Sequence, residues 1–211
     1  MYRTEARLLH LLLMLFAAMS VGCASLPENT NPEEVYSVVA PPGAKLSKLA
    51  LDNTPAETQQ SAFILLSDGT DAFVARMALA SAAETSIDAQ YYIWHNDVTG
   101  DLLINELINA AERGVRVRLL VDDINLSSAN DEGLAMIASH PLVSVRIFNP
   151  FSRKTSKYSQ MLSRFGDVTR RMHNKSFVVD GRISMETALL HLLNIERLGE
   201  AVEGKQPQQQ G

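Results

Sequence analysis

The segment from Thr85 to Val121 constrains the fold most tightly. From Thr85 to Trp94 apolar and polar residues alternate, so Ile87, Ala89, Tyr91 and Ile93 share one face of a strand. Asp97-Val98-Thr99-Gly100 marks a turn and helix start. The spacing of Leu103, Leu107, Ile108 and Ala111 then predicts a helix over 101–113. Gly114 is its natural stop, since glycine takes the left-handed conformation without a Cβ clash. Val115 to Val121 is a second strand, closed by Asp122-Asp123. Strand, helix and strand with short joints form a βαβ unit, whose strands run parallel through a right-handed crossover.

The flanking chain extends this pattern. Ala62 to Leu66 is a short apolar run, and Thr70 is placed to cap a helix over 71–84 with Phe73, Val74, Met77 and Ala80 on one side. Beyond the unit come a helix from Asn130 to Ser139 and a strand from Leu142 to Phe148, stopped by Asn149-Pro150. A short helix fits Ser156 to Phe165, and a last strand over 172–179 runs into Asp180-Gly181, a tight-turn pair. The fold class is therefore α/β: a mixed, largely parallel sheet flanked by helices, spanning 61–181. In a chain of 211 residues, 46% hydrophobic content is enough to bury such a core.

On the last strand His173 and Lys175 have the same parity, so an imidazole and an ammonium face one way and can grip one anion, a phosphate above all. Asp180 has the opposite parity and needs the turn to bring its carboxylate round. An ordinary buried strand with a basic start fits the same spacing equally well. Charge favours the anion. The net charge is −5, which argues against a general nucleic-acid binder, yet seven Lys or Arg and one acidic residue lie between Arg153 and Lys175, leaving −11 on the rest. A solvated basic loop is the plain alternative. The other histidines, His10, His95, His140 and His191, are scattered, and no metal-ligand spacing is visible. Asp122-Asp123 reads as a strand-end cap.

The two ends differ from the domain. Arg3 and Arg7 precede an apolar run from Leu8 to Met19, and Ser20-Val21-Gly22 leads to the single cysteine, Cys23. Twelve apolar residues make a poor membrane span. Residues 1–23 resemble a bacterial lipoprotein signal, with Cys23 acylated after cleavage. An uncleaved anchor and a plain secretory signal are the alternatives. Residues 24–60 hold five of the eight prolines and no lasting period, which predicts a flexible tether. After Gly181 the stretch from Met185 to Ile195 reads as a helix followed by a Gln-rich tail, so 182–211 forms a separate C-terminal segment.

His173, Lys175 and Asp180 form a His-x-Lys-x4-Asp pattern that resembles the signature of the phospholipase D superfamily. Three further stretches are similar to bacterial members in the same order: Ser86 to Trp94 with Asp97 to Gly100, Ala110 to Asp123, and Val145 to Phe151. The likeness covers about 60–181, and with the lipoprotein start it points to a cardiolipin-synthase-like lipoprotein carrying one phospholipase D-type lobe. The resemblance implies two-step phosphodiester transfer on membrane phospholipids without a cofactor. His173 would attack phosphorus, Lys175 would steady the non-bridging oxygens, and Asp180 would hold the imidazole's tautomer. The family uses two such motifs and this chain has one, which implies a homodimer or an inactive, truncated remnant. A dimeric endonuclease of the same superfamily is a weaker alternative. The lipoprotein reading implies a lipid-anchored protein of the cell envelope, at the periplasmic face of the outer membrane of a Gram-negative bacterium.

Overall fold

The computed structural model describes residues 35–54, 61–95 and 97–186, together with Arg7, His10 and Met14. In chain order the elements over 35–186 are α1 (Lys45–Asp52), α2 (Gly69–Ala82), β1 (Ser86–Tyr91), α3 (Val98–Glu112), β2 (Arg116–Asp122), α4 (Ser128–Ile137), β3 (Val143–Phe148), α5 (Lys157–Ser163), α6 (Phe165–Val168), β4 (Ser176–Val179) and β5 (Ile183–Glu186). The described residues over 35–186 fall into two compact units, one of residues 35–150 with 172–186, the other holding residues 151–171.

In the first unit the described strands form a five-stranded sheet in the order β3-β2-β1-β4-β5. The βαβ expectation holds: β1 and β2 are parallel, with Ile87 opposite Val117 and Ala89 opposite Leu119. β3 adds in parallel to β2, whereas β4 lies antiparallel to β1 and β5 antiparallel to β4. Asp97 caps α3 by accepting from the Gly100 amide at 2.8 Å, and Gly114 ends the turn after it with φ +95°. Leu103, Leu107 and Ala110 from α3, Leu134 and Ile137 from α4 and Ala80 from α2 pack with Ile87, Ala89, Val117, Leu119, Phe177 and Val179 in one core. The helices thus cover one face of the sheet. On the opposite parity Arg118 donates Nε and Nη2 to the two oxygens of Asp88, a pairing that raises its pKa further.

Several expectations are corrected. Asp68, not Thr70, caps α2, accepting from the Thr70 amide at 2.7 Å, so the helix begins at Gly69. Its inward face carries Ala72, Arg76 and Ala80 while Val74 is exposed. Residues 61–67 form no regular element, and Phe63, Ile64 and Leu65 lie exposed.

The tether expected over 24–60 does not hold for 35–54. There the chain is a strap fastened to the sheet mainly through backbone groups. The Ala40 amide donates to the Asp180 carbonyl at 2.9 Å, Ser86 Oγ donates to the Val38 carbonyl at 3.1 Å, and Arg182 Nη2 donates to the Ala40 carbonyl at 3.2 Å. Leu46 of α1 then enters the core. The helix expected from Met185 is also corrected at its start. Asp180 and Gly181 both have positive φ, 55° and 60°, the geometry of a tight hairpin turn, and β5 follows. Ile183 and Met185 face the core, so the domain runs past 181. Cys23, the leader and the tail from 187 lie outside the described residues.

Candidate active site

Parallel strands point their carboxyl ends to one edge of the sheet, where α/β proteins place their ligands. At that edge β1 ends at Tyr91-Tyr92 and β2 at Asp122. Because β4 is antiparallel to β1, with Ser176 opposite Gln90, the residues leading into β4 arrive at the same edge. His173, Asn174 and Lys175 are those residues. They precede the strand rather than lying within the span expected from 172, since β4 begins at Ser176. The shared parity of His173 and Lys175 survives this change.

The Lys175 Nζ stands 3.4 Å from His173 Nε2 and 3.4 Å from the His173 carbonyl. Tyr92 packs against both groups: its ring meets the imidazole edge-to-face at 4.5 Å between centroids and lies 5.3 Å from Lys175 Nζ. Lys175 is 8% exposed, and burial lowers its pKa below the ordinary lysine range. His173 is exposed. The result is an exposed imidazole backed by a desolvated ammonium, with one aromatic ring against both.

Two contacts hold the segment. The buried carboxylate of Asp122 accepts from the Ile124 amide through one oxygen and from the Met172 amide through the other, each at 2.8 Å. Asp122 therefore caps the turn after β2, as the sequence suggests, and also pins the chain one residue before His173. Asn174 Nδ2 donates to Gln90 Oε1 at 3.1 Å. Sequence reasoning passed over Tyr92, Gln90 and the second contact of Asp122. Their link to His173 is made by β1–β4 pairing and the end of β2, which no local spacing encodes.

Asp180 does not join His173 and Lys175. It lies past the other end of β4, roughly 20 Å along an extended chain from His173. Its carboxylate is fully buried and accepts from the backbone amides of Glu84, Thr85 and Ser86, at 3.1, 2.7 and 3.0 Å. The role of orienting the imidazole is thus corrected: Asp180 ties the β4–β5 turn to the start of β1.

The mixed α/β sheet carries its His–Lys pair at the carboxyl edge of the parallel strands. The family described as "Cardiolipin synthase, PLD-like domain" matches residues 77–188, and the chain belongs to it, within the phospholipase D superfamily. Cardiolipin synthase C of Escherichia coli (strain K12) is 48% identical over 120 residues, which are 57% of this chain and 25% of that protein. A protein of Helicobacter pylori (strain J99) described as uncharacterized is 38% identical over 164 residues, 75% of this chain and 32% of that one. The chain thus spans between a quarter and a third of the length of these relatives. Among solved structures, NucT from Helicobacter pylori aligns with a TM-score of 0.40 and 16% identity over 58% of this chain and 68% of that one.

Proposed function

We propose that the domain performs phospholipase D-type phosphodiester transfer on membrane phospholipid, with His173 as nucleophile. One observation carries this reading: Lys175 Nζ lies 3.4 Å from His173 Nε2, at the sheet edge where a ligand is expected. The Nε2 lone pair attacks phosphorus and forms a P–N bond as the bond to the leaving alcohol breaks. Lys175 stabilises the charge building on the non-bridging oxygens in the transition state. Water or an acceptor alcohol then attacks the phosphohistidine, giving its proton to the group that protonated the leaving alkoxide, breaking the P–N bond and restoring the imidazole.

The leaving alkoxide needs a proton, and a second imidazole is the natural donor. The chain carries one His-x-Lys motif, so we assign the donor to the His173 of a second copy. Acylation at Cys23 would hold this dimer to the periplasmic face of an outer membrane. The leader composition and the single cysteine support that localisation, and acyl labelling lost in Cys23→Ser tests it.

The test of the chemistry is capture of the covalent intermediate. Incubation with phospholipid labelled in its phosphate should give an acid-labile, base-stable phosphoenzyme that His173→Ala abolishes. Turnover that persists unchanged in His173→Ala would sink the proposal. The single motif also favours a second reading, a domain with no turnover of its own, in which case the parent chain yields no phosphoenzyme. Cleavage of plasmid DNA without turnover of phospholipid would favour an endonuclease instead.

A further inference from the structure

The unit formed by residues 151–171 has an inside and an outside that the chemistry at His173 leaves unused. Inside, Gln160 is buried: its Oε1 accepts from the Ser152 amide at 2.7 Å, and its Nε2 donates to the Ser152 and Thr155 carbonyls at 2.9 and 3.2 Å. Phe151 is buried too, with Lys157 Nζ 5.4 Å and the Arg171 guanidinium 4.9 Å from its ring centre, and Val168 is buried beside α6's end. One side of α5 is therefore fastened. On the other side Tyr158 is 83% and Leu162 87% exposed, with Met161 at 37%. Residues at i, i+3 and i+4 share a helical face, and Phe165, 70% exposed, opens the next helix.

Single exposed apolar side chains are ordinary. Here a row of them stands within eight residues, in a segment where Arg153 to Arg171 holds six Lys or Arg against Asp167 alone. We propose that this face of α5, continued by Phe165, docks on an anionic phospholipid surface. Lipid suits it better than nucleic acid: Leu162 and Met161 offer nothing to a phosphate or a stacked base, while an interface accepts aliphatic groups below and Tyr158 at headgroup level. The cations then meet lipid phosphates of opposite charge. The surface is independent of the proposed transfer at His173 and stands if that chemistry fails.

The experiment uses the full chain carrying Cys23→Ser, which removes acylation, with Leu162→Cys bearing an environment-sensitive dye. Phosphatidylcholine vesicles doped with phosphatidylglycerol should shift the emission to the blue, and pure phosphatidylcholine vesicles should not. A dye at Ser139→Cys, on an exposed site in the other unit, should stay in water. Changing Arg153 and Lys154 to Gln should weaken partitioning about fivefold per charge, and adding His173→Ala should change nothing. The proposal fails if anionic vesicles leave the Leu162→Cys dye unshifted, or if both vesicle types or both dye positions respond alike. It also fails if duplex DNA, or raised protein concentration alone, gives the shift without vesicles.

Discussion

Lys175 is the residue at which stability and the proposed chemistry oppose one another. Burial lowers its pKa, so the folded state binds its proton more weakly than the unfolded chain does. The cost is fully present below the folded pKa. It disappears as pH rises towards the ordinary value of 10.5, because in that window the unfolded state holds more protons and stability climbs with pH. Lys175→Met should therefore lose phosphoenzyme formation yet melt no lower than the parent at neutral pH. Its advantage in Tm should shrink as pH approaches 10.5, and an advantage that does not vary with pH would refute this account. Asp180 is the reverse case. Asp180→Ala strips a buried acceptor from the Glu84, Thr85 and Ser86 amides and should cost about 3 kcal/mol in urea unfolding. Asp180→Asn, which keeps one acceptor, should cost less. Neither should alter phosphoenzyme formation beyond the loss of folded protein, since Asp180 does not touch His173. The sequence identifies His173 and Lys175 as a pair because two-residue spacing is a local property. It misassigns Asp180 because a carboxylate's partners are fixed by the whole fold.

At the scale of elements, alternation and helical spacing find the βαβ unit, the third parallel strand and the basic segment's short helix. They fail where backbone groups do the binding. The strap over 35–44 has no period to read, since its fastening runs through the carbonyls of Val38 and Ala40 and the amide of Ala40. Gly181 lies under that strap at φ +60°, and a Cβ there would meet the Val38 carbonyl oxygen at 2.8 Å and Val39 Cγ2 at 3.0 Å. Gly181→Ala should thus destabilise by at least about 1 kcal/mol from the backbone angle alone, with more from the clash. Leu46→Ala should cost about 2–5 kcal/mol, as a core leucine does; a value near zero would mean that α1 is a tether after all. Arg76 shows the limit of pattern reading from the other side. It is 4% exposed, with its guanidinium 6.0 Å from the Tyr91 and Phe177 rings, although a charged side chain ordinarily lies in solvent.

For the whole molecule the consequence of topology is a site built from segments far apart in the chain: the end of β1, the end of β2 and the lead-in to β4. If a second copy completes it, parent chain co-refolded with an equal amount of His173→Ala should turn over phospholipid at roughly a quarter of the all-parent rate, against half for independent chains. Membership of the phospholipase D superfamily, the α/β class and the His–Lys pair are all legible in the sequence, because each rests on spacing within a few residues. What tertiary structure alone decides is which side chains attend that pair. Antiparallel entry of β4 beside β1 brings Tyr92 and Gln90 to the motif, the end of β2 lends Asp122 to the Met172 amide, and the same geometry carries Asp180 away to the start of β1. The antiparallel direction and register of β4 are set by the sum of the packing, and no local spacing contains them.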